Sequence, residues 1–252
     1  MTSTNRRYGW RPDLPDQRDF LFRASRLTAP LPSKVDLHAG CPPVYDQGNL
    51  GSCTANALAG AIDFERKKQK LPFLSPSRLF IYYNERALED SVASDSGATL
   101  RDGMKTVAAQ GACAESMWPY DIAQFATLPA AACYTAALLH RTISYARVAQ
   151  DLTQMKTCLV SGFPFVFGFT VYESFESDAV AQTGKVPMPG SNESALGGHA
   201  CVIVGYSDAS QRFLCRNSWG PDWGINGYFT LPYPYALNSN LAGDFWTIRL
   251  EQ

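Results

Sequence analysis

Cys53 precedes a helix-like run, Thr54 to Lys68, in which Ala57, Leu58, Ala61, Ile62 and Glu65 recur at helical spacing. The unpaired N–H groups and the dipole of a helix N-terminus favour negative charge, so a thiol placed there is disposed to ionise into a nucleophile. Gly48, Gly51 and Ser52 let the main chain come close to a substrate, and Gln47 brings a side-chain amide donor. The Gln47 amide and the Cys53 N–H would together hold the oxyanion of a tetrahedral intermediate, and one such donor typically lowers a barrier by about 3 kcal/mol. The base must come from three histidines. His38 lies near the chain's entry into the body, and His140 ends a helix where a positive ring suits the dipole. His199 follows Gly197-Gly198 and starts the strand-like run Ala200 to Val204, which aims its ring into a cleft. Asn217 stands at the end of the next strand, where its carbonyl would accept the His199 ring N–H, and Trp219 would shield that bond from water. The implied chemistry is acyl transfer: Cys53 attacks a carbonyl, a thioester forms, and water activated by His199 hydrolyses it.

The elements that must carry these residues divide the chain. Ser75-Pro76 reads as a cap and first-turn proline of a second helix continuing through Arg86, and a third helix runs from about Thr99 to Gln110 and stops at Gly111. An Ala-rich stretch, Pro129 to His140, precedes a helix from about Asp151 to Ser161. From there Phe165–Val171, Ala200–Tyr206, Arg212–Arg216, Gly227–Leu231 and Phe245–Leu250 read as strands bounded by Gly, Pro, Asp or Asn. Helices segregated from an antiparallel sheet make an α+β protein of two lobes with a cleft between them. The expected division is an N-terminal extension over 1–30 and a body over 31–252, with a helical lobe near 41–140 and a β-rich lobe near 141–252.

Composition narrows the function. The chain has 252 residues, 46% hydrophobic and 18% charged, which is enough for a substantial core. A formal charge of −1 gives no electrostatic reason to expect nucleic acid or an anionic membrane as partner. The apolar stretch Phe163 to Val171 is too short to span a bilayer, and Met1 to Asp13 lacks the apolar core of an ordinary export signal. No Cys-x-x-Cys or His-Glu-x-x-His occurs, so neither a metal nor another cofactor is expected. Serine-hydrolase, dinucleotide and phosphate-loop motifs are likewise missing. The seven cysteines are an odd number, so internal pairing leaves at least one thiol free.

Gln47 to Thr54, Gly197-Gly198-His199-Ala200 and Asn217-Ser218-Trp219-Gly220 together resemble the papain-like cysteine peptidases, in the right order along the chain. The similarity spans 31–252 and includes Gly111 to Tyr120, ending in Trp-Pro-Tyr. The resemblance implies a two-lobed fold with Cys53 on the long helix of the helical lobe and His199 and Asn217 on a barrel-like lobe. The family's Cys-Gly-Ser-Cys-Trp reads Leu50-Gly51-Ser52-Cys53-Thr54 here, and its Cys-x-Gly-Gly reads Asp95-Ser96-Gly97-Ala98. Both ends of one family disulfide are thus absent, and the other six cysteines leave their pairing open. By the same matching, Gly97 and Ala98 offer main chain to a substrate strand. Thr99, Leu100, Gly197, Gly198 and Ala200 border the pocket for the second residue before the scissile bond, with Trp219 beside the cleft. An apolar pocket is expected.

Family members are made as precursors whose propeptide runs backwards through the cleft. Residues 1–30 hold six arginines and three aspartates, a net +3 against −4 for the rest, and are shorter than the usual papain propeptide. They match a short-extension bacterial branch. Tyr8, Trp10 and Pro12 to Phe20 are expected to occlude the cleft until removed, the alternative being a strap that pads the outside of a lobe. The expected partners are protein or peptide substrates of a monomeric endopeptidase. An exopeptidase or transpeptidase using the same residues, and a silent peptidase fold kept for binding, are the competing readings.

Overall fold

The computed structural model describes residues 6–23, 30–140 and 143–250. Seven α-helices are formed among them: α1 (Cys53–Lys68), α2 (Arg78–Leu88), α3 (Leu100–Gln110), α4 (Ala131–Ala137), α5 (Leu152–Val160), α6 (Asp178–Thr183) and α7 (Tyr233–Leu237). The strands are β1 (Trp10–Arg11), β2 (Lys34–Asp36), β3 (Ala98–Thr99), β4 (Ile143–Arg147), β5 (Phe165–Tyr172), β6 (Ala195–Ser207), β7 (Arg212–Arg216), β8 (Tyr228–Pro232) and β9 (Ala242–Leu250). The larger sheet is antiparallel, in the order β4-β9-β5-β6-β7-β8, with β2 also paired to β6. It stays open, since no pairing joins β4 to β8 among the described residues, so the barrel-like lobe is not a closed barrel. The α+β architecture is therefore as the sequence indicates.

Strand alternation explains how the sheet holds helix α1. On β5, Phe165, Phe167, Phe169 and Val171 face a core shared with Phe175, Phe213 and Phe229. Val166, with Val202, Val204, Trp246 and Ile248, faces the other way, onto Ala55, Leu58, Ala59 and Ile62 of α1. Being covered by the sheet on one side and by α2 and α3 on others, α1 is buried almost all round, and its small residues allow close approach. The nucleophile candidate is thereby fixed at the junction of helices and sheet.

Helix ends follow local chemistry. Thr99 caps α3, its hydroxyl accepting the Asp102 N–H at 3.2 Å, and Gly111 ends the helix at φ +75°. Asp151 caps α5 in the same way. The second helix starts later than Ser75-Pro76 indicates, because Ser75 takes φ +47° and Pro76 pairs with Ala114. Ser77 is the cap instead, accepting the Phe80 N–H at 3.1 Å. All seven cysteines are free thiols. No helix among the described residues is long and apolar enough to cross a membrane.

Candidate active site

Cys53 is the first residue of α1, and Ser52 supplies the carbonyl that accepts the Asn56 N–H at 3.0 Å, so the thiol stands on the helix's open end. His199 lies within β6, paired in register with Phe169, and Asn217 follows directly after β7. The sheet brings them together: His199 Nε2 donates to Asn217 Oδ1 at 2.8 Å. Asn217 Oδ1 also accepts the Ser218 N–H at 2.8 Å and the Cys201 thiol at 3.5 Å, which fixes its carbonyl toward the ring. With Nε2 carrying a proton, Nδ1 is the basic nitrogen, and it is buried without a hydrogen bond. Trp219 stacks on the imidazole at 4.9 Å between centroids. The other two histidines have local partners, His38 in Asp36 at 2.7 Å and His140 in Arg66 at 3.5 Å.

Gln47 is oriented from both ends. The Ser218 hydroxyl donates to Gln47 Oε1 at 2.6 Å, and the Gln47 main-chain N–H donates to Ser218 O at 2.9 Å. Its amide Nε2 is left to donate to Leu50 O at 2.9 Å and to Arg7 O at 3.3 Å. The donor suited to an oxyanion is thus already engaged by a carbonyl of the N-terminal arm.

The arm fills the cleft from Arg6 to Arg11. Arg6 lies 3.9 Å above the Trp219 ring, and Tyr8 meets His199 edge-on at 6.2 Å while its hydroxyl donates to Glu176. Gly9 passes so close to Gly51 that a Cβ on it would lie 1.7 Å from Gly51 O. Only glycine fits. β1 then pairs in parallel with β3, and the Ala98 N–H donates to Gly9 O at 2.7 Å. Trp10 packs on Gly168 and Gly198, and its indole N–H reaches Asp244 at 3.1 Å. Arg11 pairs with Glu89.

The later arm leaves the cleft and joins the two lobes. The buried Asp13 carboxylate accepts the Arg101 N–H at 3.0 Å, Arg147 Nη2 at 2.9 Å and the Trp246 indole at 2.9 Å. Asp19 takes both Nε and Nη2 of Arg101, at 3.0 and 2.7 Å, and also meets Arg147. Leu21 bridges to Arg147 beside β4, and Phe22 enters the core. Of the segment expected to occlude the cleft, Tyr8 and Trp10 lie beside His199, Gly197 and Gly198, whereas Asp13 and Asp19 bind Arg101 of α3, Arg147 of β4 and, for Asp13, Trp246 of β9. Residues 1–5 and 24–29 lie outside the described residues.

Burial controls the site's electrostatics. It pushes the Cys53 thiol up to about 11, against the main-chain N–H groups of Ala200, Gly9 and Thr54 that favour the thiolate. It pushes the His199 imidazole down to about 4, against the Asn217 bond that favours the ring's charge. With the arm in place both groups are neutral at pH 7.

The residues matched to a substrate cleft all line the arm's path or support it. Gly97 approaches Gly9, Ala98 donates to it, and Gly198 carries the Trp10 main chain. Thr99 donates its N–H to Glu89, Leu100 is buried, Gly197 faces Tyr8, and Ala200 is buried in the cluster that also holds Cys53 and Trp10. Asp244 and Asp95 were not indicated by the sequence. Asp244 ends the pocket that Trp10 fills, so this pocket has a carboxylate where a wholly apolar one is expected. Its φ of +55°, unusual inside a strand, turns the side chain out of the strand pattern, and no local motif reports it.

A family model described as papain family cysteine protease matches residues 31–242. The chain is 44% identical to the uncharacterized peptidase C1-like protein L477 of Acanthamoeba polyphaga mimivirus, over 98% of this chain and 88% of that protein. It is 28% identical to the cathepsin B-like CP1 of Giardia intestinalis, over 84% of this chain and 71% of that protein. Among solved structures, xylellain, a cysteine protease from Xylella fastidiosa, matches with a TM-score of 0.91 at 45% identity, covering 100% of this chain and 99% of that one. The digestive procathepsin L2 of Tenebrio molitor larval midgut, at TM-score 0.72 and 21% identity over 93% of this chain and 75% of that one, shares the fold. This chain belongs to the papain family of cysteine proteases and is a papain-like cysteine peptidase, a hydrolase.

Proposed function

We propose that the protein is an endopeptidase made as a self-blocked precursor, in which Arg6 to Arg11 plug a cleft served by Cys53, His199, Asn217 and Gln47. The observation that carries this reading is what the plug offers the thiol. The Gly9 carbonyl is held by the Ala98 N–H, a Cβ on Gly9 would lie 1.7 Å from the carbonyl oxygen of Gly51 just before the nucleophile, and the Gln47 amide is engaged by Arg7 O. A nucleophile needs a carbonyl carbon in line with the sulfur and an oxygen between the oxyanion donors. The Gly9 carbonyl, held by Ala98, is not offered to the Gln47 amide, so the Gly9–Trp10 bond is not presented for attack while the arm fills the site.

Catalysis begins when the plug leaves and water reaches the site. The desolvation that holds both groups neutral is relieved, so the proton passes from Cys53 Sγ to His199 Nδ1, and the ion pair is sustained by the α1 N-terminus and the Asn217 carbonyl. The thiolate adds to the scissile carbonyl, and the oxyanion takes the Gln47 amide and the Cys53 N–H. His199 gives its proton to the departing amine as the thioester forms, then draws a proton from water that attacks the thioester. Asn217 holds the ring so that Nδ1 faces the sulfur throughout. Trp10 serves as a template for the pocket: a large apolar side chain with a terminal donor for Asp244 is the preferred second residue before the scissile bond.

Full-length chain, the Tyr8→Ala/Trp10→Ala chain and the same chain with Cys53→Ala test this, assayed on internally quenched peptides with product masses recorded. Internal cleavage strongest in the double variant and abolished by Cys53→Ala is expected. Activity that is equal in the wild type and the double variant would remove the plug from the account, and removal of single terminal residues would replace the endopeptidase with an exopeptidase.

A further inference from the structure

One carboxylate ties together the two main-chain segments that flank the nucleophile. Asp95 Oδ1 accepts the Gly51 N–H at 3.0 Å and the Tyr82 hydroxyl at 2.5 Å, and the Tyr82 oxygen accepts the Gly97 N–H at 3.1 Å. Gly51 lies between Gln47 and Cys53, and Gly97 borders the cleft opposite it, so the relay runs from the oxyanion loop to the substrate rim through two side chains, Asp95 and Tyr82. Asp95 Oδ2 faces the arm: it receives Arg7 Nη1 at 3.1 Å and makes a longer contact with the Gly51 N–H at 3.2 Å. The Asp95 side chain is 9% exposed, whereas that of Arg7 is 62% exposed. Leu50 and Asp95 are the positions where the sequence lacks both cysteines of a family bridge, and a polar relay now spans the same gap.

We propose that Asp95 is a positioning residue for hydrolysis, holding the Gly51 peptide so that the Gln47 amide and the Cys53 N–H converge on the oxyanion, and that its outer oxygen latches Arg7 of the arm. The assignment rests on Cys53 and Gln47 acting as proposed above. The two oxygens have separable work. Asparagine at this position keeps an oxygen for Gly51 and Tyr82 but replaces the Arg7 acceptor with a donor, and alanine removes both.

The test places Asp95→Asn and Asp95→Ala in the full chain carrying Tyr8→Ala/Trp10→Ala. Three quantities are read: kcat and KM for a peptide, the rate of Cys53 alkylation by iodoacetamide, and hydrogen exchange of the Gly51 amide. Iodoacetamide alkylation forms no oxyanion, so it reports the thiolate alone. The expected result for Asp95→Ala is a fall in kcat of about tenfold or more, the scale of a disturbed oxyanion donor. Its KM and alkylation rate should stay within about twofold, and Gly51 exchange should quicken by about tenfold or more as a buried hydrogen bond is lost. Asp95→Asn should keep kcat and Gly51 protection near the parent's. In the chain with an intact arm it should raise alkylation about threefold, as an exposed ion pair is removed.

Alkylation falling in step with kcat, or Asp95→Asn as damaged as Asp95→Ala, would overturn the positioning role. Should Asp95→Ala fail to fold, Tyr82→Phe carries the test: it removes the hydroxyl that joins Asp95 Oδ1 to the Gly97 N–H while leaving the Asp95–Gly51 bond, and is expected to quicken Gly97 exchange and raise KM with kcat held. Unchanged Gly97 exchange would break the relay. A parent that cleaves no peptide would sink the plug reading, and Gly51 exchange would still decide Asp95.

Discussion

Trp10→Ala is the sharpest probe of the plug. The Trp10 indole is buried against Gly168 and Gly198 and donates to Asp244 at 3.1 Å. Burying about 200 Å² of aromatic surface at about 25 cal/mol per Å² gives an upper value of about 5 kcal/mol. The vacated pocket opens to water and Asp244 rehydrates, so the lower end of measured Trp→Ala losses, about 3 kcal/mol, is the better figure. At 1.4 kcal/mol per decade this weakens docking of the plug about 150-fold. Alkylation of Cys53 by iodoacetamide follows the open fraction, provided the arm reopens faster than the reagent reacts. The rate at pH 7 should therefore rise by about two decades in Trp10→Ala. Leu14→Ala, on the same arm but at an 81% exposed residue, should leave it unchanged. A Trp10→Ala rate within threefold of wild type would refute the reasoning, because the indole would then contribute nothing to closure.

Other outcomes follow from the same contacts. Gly9→Ala places a Cβ 1.7 Å from Gly51 O, so its arm should be displaced and its Cys53 alkylated as fast as in Trp10→Ala. Asn217→Ala strips His199 Nε2 of its acceptor and should lower kcat by about ten- to a hundredfold, the worth of a hydrogen bond to a charged ring. Arg147→Ala removes a partner shared by Asp13, Asp19 and Asp244 and should cost about 2 kcal/mol, read as a melting temperature lower by about 6 °C. The pH dependence of closure near neutral pH rests on Asp13. Opening passes the Cys53 proton to His199 within the site, so this pair takes up no net proton from solvent near neutral pH. Asp13 is raised to about 6 by burial and by Asp244, so the docked state holds its proton better and this part of docking strengthens as pH falls toward ~4. Alkylation of the chain with an intact arm, corrected for the thiolate fraction, should therefore fall with acid between pH 6 and 4 in the wild type and stay level in Asp13→Asn.

What was legible in the sequence was what local chemistry decides. Cys53 at a helix start, glycines before it, and the motifs around His199 and Asn217 carry their signals within a few residues, although β6 begins at Ala195 and holds His199 inside the strand rather than at its start, and the caps at Thr99 and Asp151 announce α3 and α5. The pairs that fold only by docking were not legible. β1 and β3 have two residues each and exist because the arm lies in the cleft. α7 begins at Tyr233 after Pro232 and holds a second proline, and its five residues carry no helical pattern that announces it. Asp95 sat in view as a missing cysteine, but its partners Gly51 and Tyr82 are set by tertiary approach rather than spacing. Asp244 falls just outside the strand expected over Phe245–Leu250, and only its left-handed backbone and the indole of Trp10 mark it as a pocket end.

The most direct measurement is the mass of the covalent intermediate. Tyr8→Ala/Trp10→Ala chain mixed with an activated peptide ester and quenched in acid should gain one acyl group, and peptide mapping should locate it on Cys53. Asn217→Ala should still accumulate that adduct, more slowly, and Cys53→Ala should accumulate none. An acyl group on any other residue, or hydrolysis that persists in Cys53→Ala, would contradict the central claim that this thiol is the nucleophile.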